Sequence, residues 1–371
     1  AGKSDGPKYG GKGDPITFDD VPYGSYTFSL DIYTDRTQKI KLDTKTTPVS
    51  VSGSYTEVKF NLLYSDYQNY YIVSTPTALV NALQGKTVDG TDSIDNSKMK
   101  ADDETTYAKI YVTKDIDVSG VAMDDGLVVE EGIYGAVVNL GGNKVTFGSL
   151  PVNGNVNAVF KDGSIVAQSI ILNGNSSLSF DKVALSQPSD AAGALVFLSG
   201  GTLTLDGTTV TGVSEDYGTI TQTDGTVIMT SGSILSGVEE AVSMTGGTFV
   251  MLGGLISNDG NGTAVGLQNC VFALVDSYNG MTATGSNSVS SINIDNAPPT
   301  STLLFGGDSQ VDEISVNSYR LNIIQTSASG SQEYFVGMFN DCGQSDTTKI
   351  AKSNCTSIEV PDGFAPAIEP E

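Results

Sequence analysis

The chain has 371 residues, with 43 Gly, no Trp, no His and a formal net charge of −24, and is long enough for two domains and a sizeable core. Low charged content with abundant Gly, Ser, Thr and Asn suits many short strands joined by tight turns and argues against a helical protein. No Lys or Arg occurs from Val183 to Tyr319, so nucleic acid and anionic membranes are excluded as partners for the acidic centre; such a face either stays soluble by like charge or recruits cations and neutral sugars.

Residues 1–14 read as a flexible leader, and 15–66 as a small β-sandwich. Tyr26, Phe28, Leu30 and Ile32 alternate with Thr27, Ser29 and Asp31; Ile40 and Leu42, then Val49 and Val51, then Val58, Phe60 and Leu62 continue the alternation. Pro22-Tyr23-Gly24, Thr47-Pro48 and Gly53-Ser54 bound these strands. The run Pro22-Tyr23-Gly24-Ser25-Tyr26-Thr27-Phe28 resembles the strand entry of transthyretin-like and immunoglobulin-like modules of bacterial surface proteins. Residues 67–104 form a linker with one helix: Thr75 as N-cap, Pro76 at its first position, Leu79, Val80 and Leu83 as its apolar stripe, and Gly85 as its stop. The chain starts at Ala1 without Met or a signal segment, the expectation for a mature or truncated product. No apolar run reaches the ~18 residues of a membrane span.

From 105 to 335 a repeat takes over. Units opening at Val138, Ala158, Leu178, Leu203, Val227, Phe249 and Phe272 follow one another at about 20 to 25 residues. That period without helix-forming runs describes a triangular coil of three strands and three turns, each coil stacked about 4.8 Å from the next. Inward Val, Ile, Leu, Phe and Met fall in columns, and Gly, Asn and Asp take corners that need positive φ. Ile110-Tyr111-Val112 with Ile116 and Val118 fits an entry coil; Ser291–Ile294, Leu303–Phe305 and Leu321–Ile324 fit exit coils. The expected total is about nine or ten coils, capped by the Thr75–Gln84 helix and by a C-terminal cover over 336–371. Cys270 precedes an apolar run and reads as a buried thiol. A disulfide between Cys342 and Cys355 would close a loop of about 14 residues and contribute about 3 kcal/mol.

The runs Gly200-Gly201-Thr202-Leu203-Thr204-Leu205-Asp206-Gly207 and Gly246-Gly247-Thr248-Phe249, continued by Gly253-Gly254-Leu255-Ile256-Ser257-Asn258, resemble the repeats of bacterial right-handed parallel β-helix surface proteins of the pectin-lyase-like superfamily, many of them adhesin-like. The helix Ala78–Leu83 followed by Ile110–Asp117 resembles the entry of that superfamily. The resemblance covers about 75–330 and implies a fold more than a function, since lyases, hydrolases and adhesins share it. Pectate-lyase-like members take a proton with Arg or Lys; the central coils have neither. Polygalacturonase-like members use clustered Asp with a Gly-His-Gly motif; this chain has no His.

A two-carboxylate glycosidase needs acids from neighbouring coils, because adjacent strand residues point to opposite faces. Glu215 or Asp216 with Glu239 or Glu240 is the candidate pairing, and Asp124-Asp125 and Glu130-Glu131 are further acid doublets. No cofactor is expected. Calcium is the one candidate ion, through Asp89, Asp92, Asp95, Asp102 and Asp103, but no Asp-x-Asp-x-Asp-Gly loop is present. Tyr134, Tyr217 and Tyr278 sit near corners where they could stack on sugars, and Asn175, Asn261 and Asn354 open glycosylation sequons. The chain therefore reads as an all-β extracellular or cell-surface protein. Its expected role is non-catalytic: an adhesin-like or glycan-contacting module meeting a glycan or protein surface. The alternatives are a polysaccharide-cleaving enzyme and a self-associating subunit of an extracellular appendage.

Overall fold

A computed structural model describes residues 21–33, 41–53, 56–58, 60, 70–84, 107–121, 123, 127, 135–260, 262–275, 277–282, 285–295, 301–306, 309–311, 314–317, 321–326 and 336–339. The chain divides into two units, Ala1–Gln68 and Asn69–Glu371.

In the first unit, β1 (Gly24–Tyr33) pairs antiparallel with β2 (Lys41–Val51), Tyr26 opposite Val49 and Phe28 opposite Thr47. Thr47-Pro48, read from sequence as a strand boundary, lies inside β2, where Pro48 faces Thr27. A two-stranded sheet consists of edges, and an edge strand tolerates a residue without an N–H. Two strands, and no second sheet, are what the described residues of this unit contain.

The second unit is a parallel β-solenoid of about 7 turns, a β-helix as the repeat predicts. It opens with β3 (Tyr70–Val73) and α1 (Pro76–Leu83). Thr75 caps α1, its hydroxyl oxygen accepting from the Ala78 N–H at 3.2 Å. Leu79, Val80, Ala82 and Leu83 are buried in one cluster with Val73, Ile110 and the columns that follow, which closes this end of the core. The strand β3 escapes the sequence pattern, yet it pairs in parallel with β4 (Tyr107–Val112) and begins the ladder.

Each turn then contributes to three faces. On the first, Ala158, Leu178, Leu203, Val227, Phe249, Phe272 and Leu303 share one inner column. On the second, Val145, Ile165, Leu185, Val210, Ile234, Ile256 and Val289 do so. On the third, Leu150, Ile170, Val196, Ile220, Val242, Val265 and Ile292 follow. The expected nine or ten coils exceed the observed number. First-face strands, from β3 to Leu321–Thr326, extend beyond the third-face strands, which run from the far half of Lys144–Val152 to Ile314–Asn317. The last first-face strand is covered by Val336–Phe339, which runs antiparallel to it. Cys342 and Cys355 lie outside the described residues.

Cys270 is buried against Ser301, and burial pushes its thiol pKa up to about 11. A second apolar cluster (Ile228, Val250, Leu252, Ala273 and Val275) lies on the outside of the first face. The short hairpin of Ser277–Tyr278 and Met281–Thr282 supplies Tyr278 and Met281 to it.

The corner between first and second faces shows what the turns require. Asp162, Lys182 and Gly207 stack there with φ of 58°, 54° and 58°. Lysine in the left-handed region costs about 1 kcal/mol. The exposed Lys182 makes only a surface ion pair with Asp181 at 3.5 Å, which contributes little. Lys182→Gly is expected to raise stability by about 0.5–1 kcal/mol, read as a higher urea midpoint at unchanged slope.

Candidate functional site

The corner between second and third faces differs from the other two. In the early turns a single strand, Lys144–Val152 or Asn157–Leu172, runs through it. In the next four turns loops 187–195, 213–219, 237–241 and, of the fourth, 259–260 and 262–264 stand there in successive turns. The same loops lengthen the repeat after Leu178, and that change in spacing is the signal in the sequence that marks them.

Polar side chains anchor this column. Gln187 is buried; its Nε2 donates to the carbonyls of Gln168 (3.3 Å) and Gly193 (2.7 Å), and its Oε1 accepts from the Val213 N–H at 3.1 Å. It therefore closes one loop and ties it to the next. Asn258 plays the matching part three turns on, closing its own loop and tying it to the preceding one. Its Nδ2 donates to the carbonyls of Glu239 and Thr263, and its Oδ1 accepts from the Gly260 N–H at 2.7 Å. Within the loops, the Ser214 hydroxyl accepts from the Asp216 N–H at 3.3 Å, and the Ser236 hydroxyl from the Val238 N–H at 3.4 Å. The Thr219 N–H donates to the Glu240 carbonyl at 3.0 Å, stacking 213–219 on 237–241. Neither Gln187 nor Asn258 stands out in the sequence, because glutamine or asparagine beside a turn fits an ordinary solvated loop.

On this frame Glu215, Asp216 and Tyr217 are exposed, and Glu239 and Glu240 are half-buried. The Glu240 carboxyl lies over Gly266 of the following turn, Oε1 only 3.1 Å from where a glycine Cβ would stand; Glu215 and Asp216, its expected partners, belong to the preceding turn. Burial raises the Glu240 pKa, and the charge and hydrogen bond of adjacent Glu239 raise it further. The charge that perturbs Glu240 thus comes from its own loop, not from Glu215 or Asp216.

The folded chain holds the Glu240 proton more tightly than the unfolded chain. The associated stabilisation is present below the ordinary value of 4.5 and is lost as pH rises through the higher folded-state value. Glu240→Gln is expected to remove that pH-dependent loss. Urea midpoints from about pH 4 to about pH 7 would show a flatter curve than the wild type.

Of the three tyrosines, Tyr217 is 52% exposed, Tyr278 is half-buried against the outer cluster of the first face, and Tyr134 lies outside the described residues. Two exposed valines that the sequence reading did not single out, Val213 and Val238, share the loops of Tyr217, Glu215 and Glu239. Asn175 is exposed in a corner turn. Asp124, Asp125, Glu130, Glu131, the aspartates of 89–103, Asn261 and Asn354 lie outside the described residues. Among the described residues no group of three or more acidic or cysteine side chains is placed to hold a metal ion, and no helix is long and apolar enough to cross a membrane.

Compared with known proteins, the chain matches no family model, no curated protein and no solved structure.

Proposed function

We propose that this protein is a non-catalytic, adhesin-like module of an extracellular or cell surface, which meets a glycan or protein surface through the loop column between its second and third faces. The observation that carries the reading is Tyr217, exposed on a loop tied to its neighbours through Gln187 and Thr219. An aromatic ring on a fixed loop offers contact area at low entropic cost. The stacked coils supply a rigid scaffold for such loops.

Glu240 favours the second reading, a polysaccharide-cleaving enzyme, since a raised carboxyl pKa suits a general acid. It weighs less, because the carboxyl leans away from the turn that carries Glu215 and Asp216. A screen of the purified protein against a glycan panel, read for binding and for released reducing ends or unsaturated products, separates the two. Binding without products, weakened by Tyr217→Ala, is the expected result. Product formation abolished by Glu240→Gln would replace this reading with the enzymatic one.

A further inference from the structure

The corner loops combine two properties that a sugar site does not need together. Among the described residues five large hydrophobic side chains are exposed, and three of them, Val213 (38%), Tyr217 (52%) and Val238 (42%), stand on two successive loops of this corner. The same two loops carry Glu215, Asp216 and Glu239. The sequence has no Lys or Arg from Val183 to Tyr319, so neither loop carries a cation, and Lys182 of the preceding turn stands at the corner between first and second faces beside Asp181. Exposed apolar side chains clustered on anchored loops mark an interaction surface. Tyrosine can stack on a sugar ring, but two valines offer a sugar's hydroxyls no hydrogen bond. They do fit the aliphatic stems of lysine and arginine, whose charged ends would reach the surrounding carboxylates. Anionic polysaccharide is repelled by the same acids.

We propose that the corner formed by 213–219 and 237–241 docks a lysine- or arginine-rich segment of a partner protein, with Val213, Tyr217 and Val238 as apolar anchors and Glu215, Asp216 and Glu239 meeting its cations. This rests on the reading above that the corner is the binding surface, and it narrows the partner to a basic polypeptide. The carboxylates steer the encounter and the apolar contacts hold it, so binding weakens with salt without vanishing.

The test uses the full chain and a dye-labelled peptide of alternating lysine and leucine, followed by fluorescence anisotropy. The combined variant Glu215→Gln, Asp216→Asn, Glu239→Gln is expected to bind at least tenfold more weakly. The combined variant Val213→Ser, Val238→Ser, with charge unchanged, is expected to lose at least fivefold. All five positions face solvent or are half-exposed, and circular dichroism checks that each variant folds as the wild type does. A loss confined to the charge variant would reduce the effect to diffuse ion attraction and overturn the proposal, as would no loss in either. A parallel arm uses the neutral oligosaccharides of the glycan panel with Tyr217→Ala. If that arm alone responds, the corner remains the binding surface and the basic partner is wrong. If neither arm responds, both readings fall.

Discussion

Gly232→Ala is expected to cost about 3 kcal/mol or more and to disrupt the stack locally. Gly232 opens a second-face strand with φ of +105°, a conformation L side chains rarely adopt. A Cβ there would press on the backbone of Thr208 in the preceding turn, meeting its carbonyl oxygen and, at 2.6 Å, its amide nitrogen. Thr208 has little freedom to retreat. It is fully buried, and its hydroxyl donates to the carbonyls of Phe180 (2.9 Å) and Asp206 (3.2 Å). Gly237, on a corner loop, makes the comparison: nothing lies within 4 Å of its Cβ position, and Gly237→Ala is expected to stay within about 0.5 kcal/mol of wild type. Urea unfolding followed by far-ultraviolet circular dichroism measures both. Equal midpoints for the two variants would mean that the turns are not stacked at this corner as described.

Phe180→Ala is the other substitution with a large expected effect, about 3–5 kcal/mol. Phe180 is fully buried and stacks on Phe160 with ring centroids 5.8 Å apart and planes at 27°; Phe160 in turn meets Phe147 edge-on at 6.4 Å. The loss therefore combines the transfer of a large ring, the cavity it leaves and an aromatic pair of about 1 kcal/mol. Phe180→Leu keeps most of the volume and is expected to cost less than half as much. Each turn leans only on its neighbours, so amide exchange in the Phe180→Ala variant is expected to quicken first around Phe160 and Leu205, its column partners. Uniform quickening from β3 to the last turn would instead indicate a single cooperative unit.

The repeat was legible because inward residues recur at an even strand period, and six of the seven unit starts, Ala158 to Phe272, do share a column. The seventh, Val138, pairs with Phe160, two residues from the sequence alignment. A slip of two keeps every side chain on its own face, so hydrophobic pattern alone cannot detect it. The helix was legible to its cap, since Thr75 and Pro76 carry strong positional preferences. The extent of β2 was not, because Pro48 normally punctuates a strand and only edge status allows it inside one. At the candidate site the acids and Tyr217 could be named from sequence. The direction of the Glu240 carboxyl could not, because it depends on Gly266 leaving open space one turn on. Tyr278 seemed equivalent to Tyr217, but the outer apolar cluster it packs on is assembled from three separate turns.

Hydrogen–deuterium exchange of the full chain, with and without a saturating ligand from the glycan panel or the lysine–leucine peptide, addresses the binding surface most directly. Ligand-induced protection confined to 187–195, 213–219, 237–241 and 259–264, with the outer surfaces of all three faces unchanged, is the expected result. Protection centred on the first face, or on residues 21–51 of the N-terminal unit, would contradict the assignment of binding to the corner loops.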